Sequence, residues 1–365
     1  MVLTRADDFP VHQTPEPIAC AGTDRNFYDR YFFNGYAPAN EKGDGSGFFA
    51  LAFGVYPQLD VADAHFSFVR GDKQYSLHAS AEMNRERLSL KVGPIAIEII
   101  EPLHQLRVTI DESEGIAGEF TFTARAAPIE EPRFMHRVGA RAFMDYTRMT
   151  QNGHYTGWIS VDGERQDMAE GTCGTRDRSW GVRPVGSRDP QPIPGHMMPA
   201  FFWQWTPLNL EGGSLFFHIN ADENGNPWNT RAAWAADGAG IEDIVEGRGT
   251  LDSTLAHGTR WPTGGELALD LPHAGERAPA RLTLEPVARF QMKGLGYTHP
   301  VWGHGVHHGP LKVEREDYDL ASLDPAQLDN RHVQMLCKVD GDAQGMGVFE
   351  QLVLGAYRPL GLEGI

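Results

Sequence analysis

The amino-acid sequence predicts an all-β protein of two antiparallel domains, barrels or sandwiches, with few short helices. Three observations predict it. Short runs that alternate apolar and polar residues recur at intervals of about 8 to 12 residues, punctuated by Gly, Pro, Asp or Glu. The first half holds no long run with the 3.6-residue period of a helix. A chain of 365 residues fits two domains of about 150 to 200 residues each. The connection 184–199, with five prolines, marks the border. The expected domains are residues 1–190 and 191–365.

In the first domain, residues 24–36 (DRNFYDRYFFNGY) crowd aromatic side chains that line or plug an opening. After the Gly-rich turn 41–47, FFALAFGVYP reads as a strand buried on both faces and ended by Pro57. Residues 65–69 and 74–78 flank Gly71-Asp72 as a hairpin, and Leu88, Leu90 and Val92 alternate up to the break at Gly93-Pro94. Segments 95–100, 106–110, 120–124 and 155–161 continue the period of two. The second domain opens with FFWQWTPLNL and SLFFHINAD as a hairpin, followed by strands at 231–235, 244–251, 266–271, 281–286 and 345–354. Asp324-Pro325 starts one short helix, because Asp satisfies free N–H groups and Pro suits the first helical position.

Charge and composition narrow the functions. A net charge of −17, from 32 basic and 49 acidic residues, repels polyanions, and no Lys/Arg cluster longer than a pair opposes it, so nucleic acid is not an expected partner. No apolar run approaches the roughly 20 residues of a membrane-spanning helix. The start, MVLTRADDFPVHQ, reads as no secretory signal, and Cys20, Cys173 and Cys337 form neither a disulfide framework nor a cysteine zinc site. A cytoplasmic protein is expected, and a neutral lipophilic small molecule remains open as its ligand.

The densest chemistry lies in 171–184, GTCGTRDRSWGVRP, where Asp177 stands between Arg176 and Arg178 with Trp180 close by. Cations lower a carboxyl pKa and burial raises it, so this acid is tunable either way. The plain alternative is a turn and short strand in which the arginines pair with Asp177. A second concentration is 294–309, GLGYTHPVWGHGVHHG, which carries Tyr297, His299, Trp302, His304, His307 and His308. Imidazoles so spaced converge on one ion if the segment bends at its glycines, with Glu314 or Glu316 as companion. The alternative is a loop whose histidines meet solvent or bond locally, or a single His such as His299 acting as acid or base. Trp203 and Trp205 share a strand face suited to a pocket or to a filled core. Glu350, an acid in an apolar strand, needs a partner or a proton if it points inward. No nucleophile elbow, phosphate loop or His-Glu-x-x-His motif is present, and no cofactor is expected.

The anchor GTRDRSWG followed by the Trp-x-Trp strand of FFWQWTPLNLEGG resembles the two-domain lipocalin-like family of carotenoid 1,2-hydratase and AttH-type proteins, an architecture shared with the fungal decalin-forming Diels–Alderases. Asp177, Trp180 and Gly181 match the family's Asp-His-x-Trp-Gly-like core, with Arg178 in place of the His, and Trp203 and Trp205 match its aromatic strand. The aromatic start, with Tyr31 and Phe33, and the stretch GLGYTHPVWGHG look like a little-characterised bacterial subfamily. The resemblance implies two calycin-type barrels side by side with an apolar cavity in or between them. It implies a lipophilic substrate, of isoprenoid or polycyclic type, held with one acid.

Two readings follow. In the first, a cofactor-independent lyase or isomerase uses Asp177 as proton donor, oriented by Arg176 or Arg178, with Glu350 or His299 as the alternative acid and Trp180, Trp203, Trp205, Tyr297, Trp302, Tyr31 and Phe33 around the substrate. In the second, the barrels carry a lipophilic molecule without chemistry. A third reading is a His-metal enzyme built on 294–309.

Overall fold

The computed structural model describes residues 8–9, 24–38, 47–188, 200–272 and 278–364. Most of the proline-rich connection, 189–199, and most of the turn 41–47 lie outside the described residues. Strand is the main secondary structure of the described residues, and the helical pieces among them are short 3-10 turns, as the alternation predicts.

The first half supplies β1 (Phe27–Tyr36), β2 (Phe49–Tyr56), β3 (Val61–Arg70), β4 (Lys73–Glu82), β5 (Lys91–Val92), β6 (Ile95–Glu101), β7 (Gln105–Ser113), β8 (Ile116–Ala124), β9 (Ile129–Glu130), β10 (Phe134–Val138), β11 (Arg141–Val161), β12 (Glu164–Asp167) and β13 (Cys173–Val182). The second half supplies β14 (Phe201–Leu210), β15 (Gly213–Ala221), β16 (Pro227–Ala236), β17 (Val245–Leu255), β18 (Pro262–Asp270), β19 (Arg281–Gln291), β20 (Leu311–Asp319), β21 (Val333–Gly341) and β22 (Gly345–Leu354). One sheet runs β20-β4-β3-β2-β1-β13-β11-β8-β7-β6-β5, with β9, β10 and β12 hanging on β11. The other is a closed barrel, β14-β15-β16-β17-β18-β19-β21-β22. The first sheet curls until its two ends meet: a Cβ on Gly93, just past β5, would lie 3.1 Å from Val313 of β20.

β1 is an interior strand of the first sheet, between β2 and β13, rather than a plug across an opening. Both of its faces are buried, which is why its aromatic crowding has no polar alternation to betray it. Tyr31 and Phe33 point into the first sheet's own core with Phe53, Phe66 and Phe120. Phe32 and Tyr36 point the other way, into a second cluster shared with Trp205, Phe216, Phe290 and Val348 of the barrel. β2 repeats the division, with Phe49, Leu51, Phe53 and Val55 inward and only Ala50 and Ala52 toward the barrel. Small residues on that face let the two sheets approach. Gly174 on β13 serves the same closeness between strands, since a Cβ there would sit 2.0 Å from the Asn34 carbonyl oxygen.

One excursion breaks the order of the halves. After β19 the chain turns through Met292–Leu295, crosses as a loop, adds β20 to the free edge of β4, and returns to lay β21 beside β19. Gln74 of β4 fastens the departure point, its amide donating to the Gln291 carbonyl (2.9 Å) and accepting from the Gln291 N–H (2.8 Å). β20 escaped the sequence reading because LKVEREDYD is charged on both faces, as suits an edge strand. β11 starts fourteen residues before the expected 155, because Asp145, Thr147 and Arg148 hide a buried strand behind polar side chains. The helix expected at Asp324-Pro325 is a turn followed by a single 3-10 turn, Leu328–Asn330. Asn330 donates to the Asp324 carbonyl (2.8 Å) and accepts from the Trp261 indole (2.7 Å), which closes the segment into β21 before a helix can extend.

The Phe32–Trp205 contact, edge-to-face at 6.0 Å, joins the two sheets at their seam. Phe32→Ala leaves a cavity there and is expected to lower stability by about 3–5 kcal/mol. Urea unfolding followed by tryptophan fluorescence checks this, and an unchanged midpoint would contradict the role given to the seam.

Candidate active site

Both barrel interiors are occupied by side chains: the first by the cluster around Phe49, Phe120 and Tyr155, the second by Leu208, Phe217, Trp234 and Phe349. The cavity lies between them. It measures about 570 Å³ and is walled by Arg30 and Arg148 of the first sheet, Trp203 and Leu352 of the barrel, and Tyr297 of the crossing loop. Phe143 and Met144 add an apolar flank at its mouth. That size suits a drug-sized or terpenoid-sized molecule.

Strand alternation decides which charged groups face this cavity. On β13 it sends Thr175, Asp177 and Ser179 toward the barrel, and Arg176, Arg178 and Trp180 toward the first core. The flanking arginines therefore do not orient Asp177. Arg176 binds Asp8 at 2.5 Å and the Gln151 side chain at 2.9 Å, with its guanidinium over Phe122. Arg178 binds Asp29 at 2.5 Å and lies 3.9 Å from the Tyr31 ring centre. Tyr31, Phe33 and Trp180 share that far face, so they pack the first domain instead of lining the cavity.

The cations near Asp177 come from other strands. Burial raises its pKa to about 6, against the opposing pull of Arg148 and Arg30, and nearby Glu131 and Glu350 raise it further. One of its oxygens, Oδ1, is buried without a hydrogen-bond partner among the described residues. Glu131 answers differently to the same surroundings. Burial opposes its ionisation too, but Arg148 grips it with two hydrogen bonds (2.8 and 2.5 Å), Thr150 donates at 2.5 Å, and its carboxyl is held below the ordinary value. The Trp205 indole N–H adds a fourth donor at 3.2 Å. Glu350 finds the partners its setting demands in His332 (2.6 Å) and the Gln334 amide (2.5 Å). Two acids with pKa values pushed apart in one place give a neutral donor and a fixed carboxylate.

Tyr297 links loop and sheet. Its hydroxyl meets Arg30, whose guanidinium lies 4.7 Å from the ring centre, and its ring is flanked by His304 and His332 at 4.7 and 4.8 Å. Arg30 retains two buried N–H groups, Nε and Nη1, without partners among the described residues. Trp203 carries an equally unpartnered indole N–H beside the cavity. These are unpartnered polar handles in a chamber whose wall also carries Arg141, Arg183, Arg188 and His332.

His299 reaches the cavity wall, but its ring nitrogens are committed elsewhere, and Trp302 lies outside the wall. His299 Nδ1 accepts from the N–H groups of Val301 and Trp302 (3.1 and 2.8 Å), so its Nε2–H donates to Glu316 (2.9 Å). Trp302 stacks on His78 at 5.3 Å instead of facing the cavity. Sequence reading brought Asp177, Glu350, Trp203, Trp205 and Tyr297 to one seam but missed Arg30, Arg148, Glu131 and His332, which complete it. For Arg30 a signal existed: its even register with Phe32 and Asn34 puts it on the seam face of a strand. Glu131, just past the two-residue strand β9, left none.

Residues 3–363 match a family of unknown function, DUF8625. No curated protein matches the chain. Among solved structures, it is similar to an AttH candidate from Nitrosomonas europaea, at 13% identity and TM-score 0.53 over 94% of this chain and 98% of that one. CghA in complex with Sch210972 aligns at 11% identity and TM-score 0.53, over 95% and 96% of the two chains. Kievitone hydratase from Nectria haematococca gives 11% identity and TM-score 0.46, over 94% and 95%. At these identities the likeness concerns the fold, two β domains in the AttH-type lipocalin-like arrangement that the anchor motif implies. The chain therefore belongs to the family of unknown function DUF8625, built on the AttH-type two-domain β fold.

Proposed function

We propose that the protein is a cofactor-independent lyase or isomerase, of hydratase, dehydratase or cyclase type, which protonates a hydrophobic small molecule in the cavity between its domains. The observation that carries this is Asp177: a buried acid with one oxygen unpartnered among the described residues, set behind Arg148 and Arg30, the two cations that act on it and that themselves line the aromatic-walled chamber.

In this reading Asp177 in its neutral form gives its proton to an alkene carbon of the substrate. The faces of Trp203 and Tyr297 steady the cation that results. Water adding to the cation returns a proton to the Asp177 carboxylate, which restores the acid; loss of a neighbouring C–H proton to the same carboxylate gives isomerisation instead. The spare N–H groups of Arg30 hold an oxygen of the substrate in register. Glu131, locked by Arg148, stays charged throughout and keeps Asp177 protonated.

Asp177→Asn is expected to lower turnover about 10²- to 10⁴-fold, the usual worth of a positioned acid, while ligand affinity stays within a few-fold. Incubation with a lipophilic cell extract in D2O, read by mass spectrometry, checks it: deuterated products with wild type alone support the reading. Compounds that co-purify and emerge unchanged indicate a carrier instead.

Because the acid form is required, activity should fall about tenfold per pH unit above its pKa near 6. Stability carries the same signature with a definite sign. The folded pKa lies above the ordinary carboxyl value of 3.8, so ionising Asp177 costs stability, beginning near pH 4 and complete above about pH 6. Asp177→Asn removes that cost and should gain about 2–3 kcal/mol at pH 8 relative to its effect at pH 4. Denaturation at the two pH values measures the difference; equal effects would contradict a raised pKa.

A further inference from the structure

The crossing loop lands on β3 and β4, and there His304, which lines the cavity with one side of its ring, meets two residues of β3 that neither the cavity nor the proposed acid uses. Asp63 and His65, two apart on β3, share one face, and His304 of the loop closes over them. The ligand-capable atoms of the three lie within 4.8 Å of one another, with all three residues buried. His65 Nε2 is 3.6 Å from Asp63 Oδ2, and His304 Nδ1 is 4.0 Å from Asp63 Oδ1. Ligands bound about 2.0 Å from a tetrahedral zinc ion stand about 3.3 Å apart. The two Asp63–imidazole separations exceed that spacing by less than an ångström, and all three ligand atoms stay within 4.8 Å of one another.

Three ring nitrogens here, His65 Nε2 and both nitrogens of His304, are buried with no hydrogen-bond partner among the described residues. Each such orphan costs free energy unless something binds it. Gly296 leaves the space beside them clear: a Cβ there would stand 3.1 Å from His65 Nε2 and 3.2 Å from the His304 ring. Asp63 is itself anchored, accepting from the Gly305 N–H at 2.6 Å and the Tyr56 hydroxyl at 3.0 Å.

We infer that Asp63, His65 and His304 form a site for one divalent transition-metal ion of zinc type, which clamps the crossing loop to the first sheet. The surrounding hydrogen bonds fit that assignment and no other placement so well. His65 Nδ1 lies 2.9 Å from His78 Nδ1, so one ring donates to the other. With His65 as donor, its Nε2 presents a lone pair to the ion, His78 accepts, and the His78 Nε2–H turns toward Glu316, 3.8 Å away. A ligating histidine backed by a second group in this way is the usual outer arrangement of a metal site. His78, His299 and Glu316 also lie close enough to hold an ion. Yet His299 already donates its Nε2–H to Glu316, and that leaves the trio as support.

The test uses full-length protein made without a histidine tag, stripped with a chelator and titrated with Zn²⁺ and Co²⁺. Expected are one equivalent of Zn²⁺ per chain, a visible d–d spectrum with Co²⁺, a rise in Tm, and a zinc absorption-edge fine structure with two imidazoles and oxygen. Asp63→Asn and His304→Gln should lose the ion, while His299→Gln should keep it. Absence of uptake by the wild type overturns the site, and so does retention in both Asp63→Asn and His304→Gln. Should either variant fail to fold, the count of imidazoles in the wild type still decides. None of these readouts depends on turnover, so the metal site and the Asp177 mechanism stand or fall separately.

Discussion

Strands β1, β13 and β11 have no solvent face along most of their length, so every charged group they carry must be neutralised on the side to which alternation sends it. That constraint organises the molecule. Arg176 and Arg178 are matched by Asp8 and Asp29 within the first domain. On the neighbouring strand β11, Arg148 is matched by Glu131 at the seam. Asp177 is the group this pairing leaves over: the cations act on it at a distance while Glu131 holds the nearest guanidinium. An acid placed so stays protonated at mildly acid pH because its neighbours are already satisfied.

The fold was legible where alternation was clean. FFALAFGVYP, the hairpin around Gly71-Asp72 and the hairpin FFWQWTPLNL–SLFFHINAD all appear as strands at the expected places. Legibility failed where burial is polar. β11 carries Asp145, Arg148 and Asn152 through the interior, and β20 is charged on both sides, so hydrophobic patterning alone passes over both. The seam was read in part. Asp177, Trp203, Trp205, Tyr297 and Glu350 come together, but their partners Arg30, Arg148 and Glu131 sit in segments noticed for aromatics or not noticed at all. The assumption that neighbours in sequence are neighbours in space misplaced Arg176 and Arg178, since adjacent strand residues face opposite ways.

The histidine-rich loop illustrates the same limit. Its spacing suggested convergence within the loop, whereas His304 meets Asp63 and His65, and His299 meets Glu316. The sheet supplies the complementary groups, through an Asp-x-His pair on β3 and a cross-strand partner on β4. A period-two pair of ligand types on one strand face was visible in the sequence. What was not visible was that the loop would return to that sheet.

That return has a consequence for synthesis. While the chain is being made, β4 is completed early but its outer edge has no partner until residues 311–319 emerge, after six strands of the barrel. An exposed edge of this kind is a template for wrong pairing between nascent chains. β19 likewise waits for β21 on the far side of the excursion. Neither sheet is finished before the other is nearly complete, so the two mature as one unit with many contacts distant in sequence, and assembly is correspondingly slow. Because β20 comes from the second half and lies in the first sheet, a cut between the halves separates neither two complete sheets nor two independent folding events.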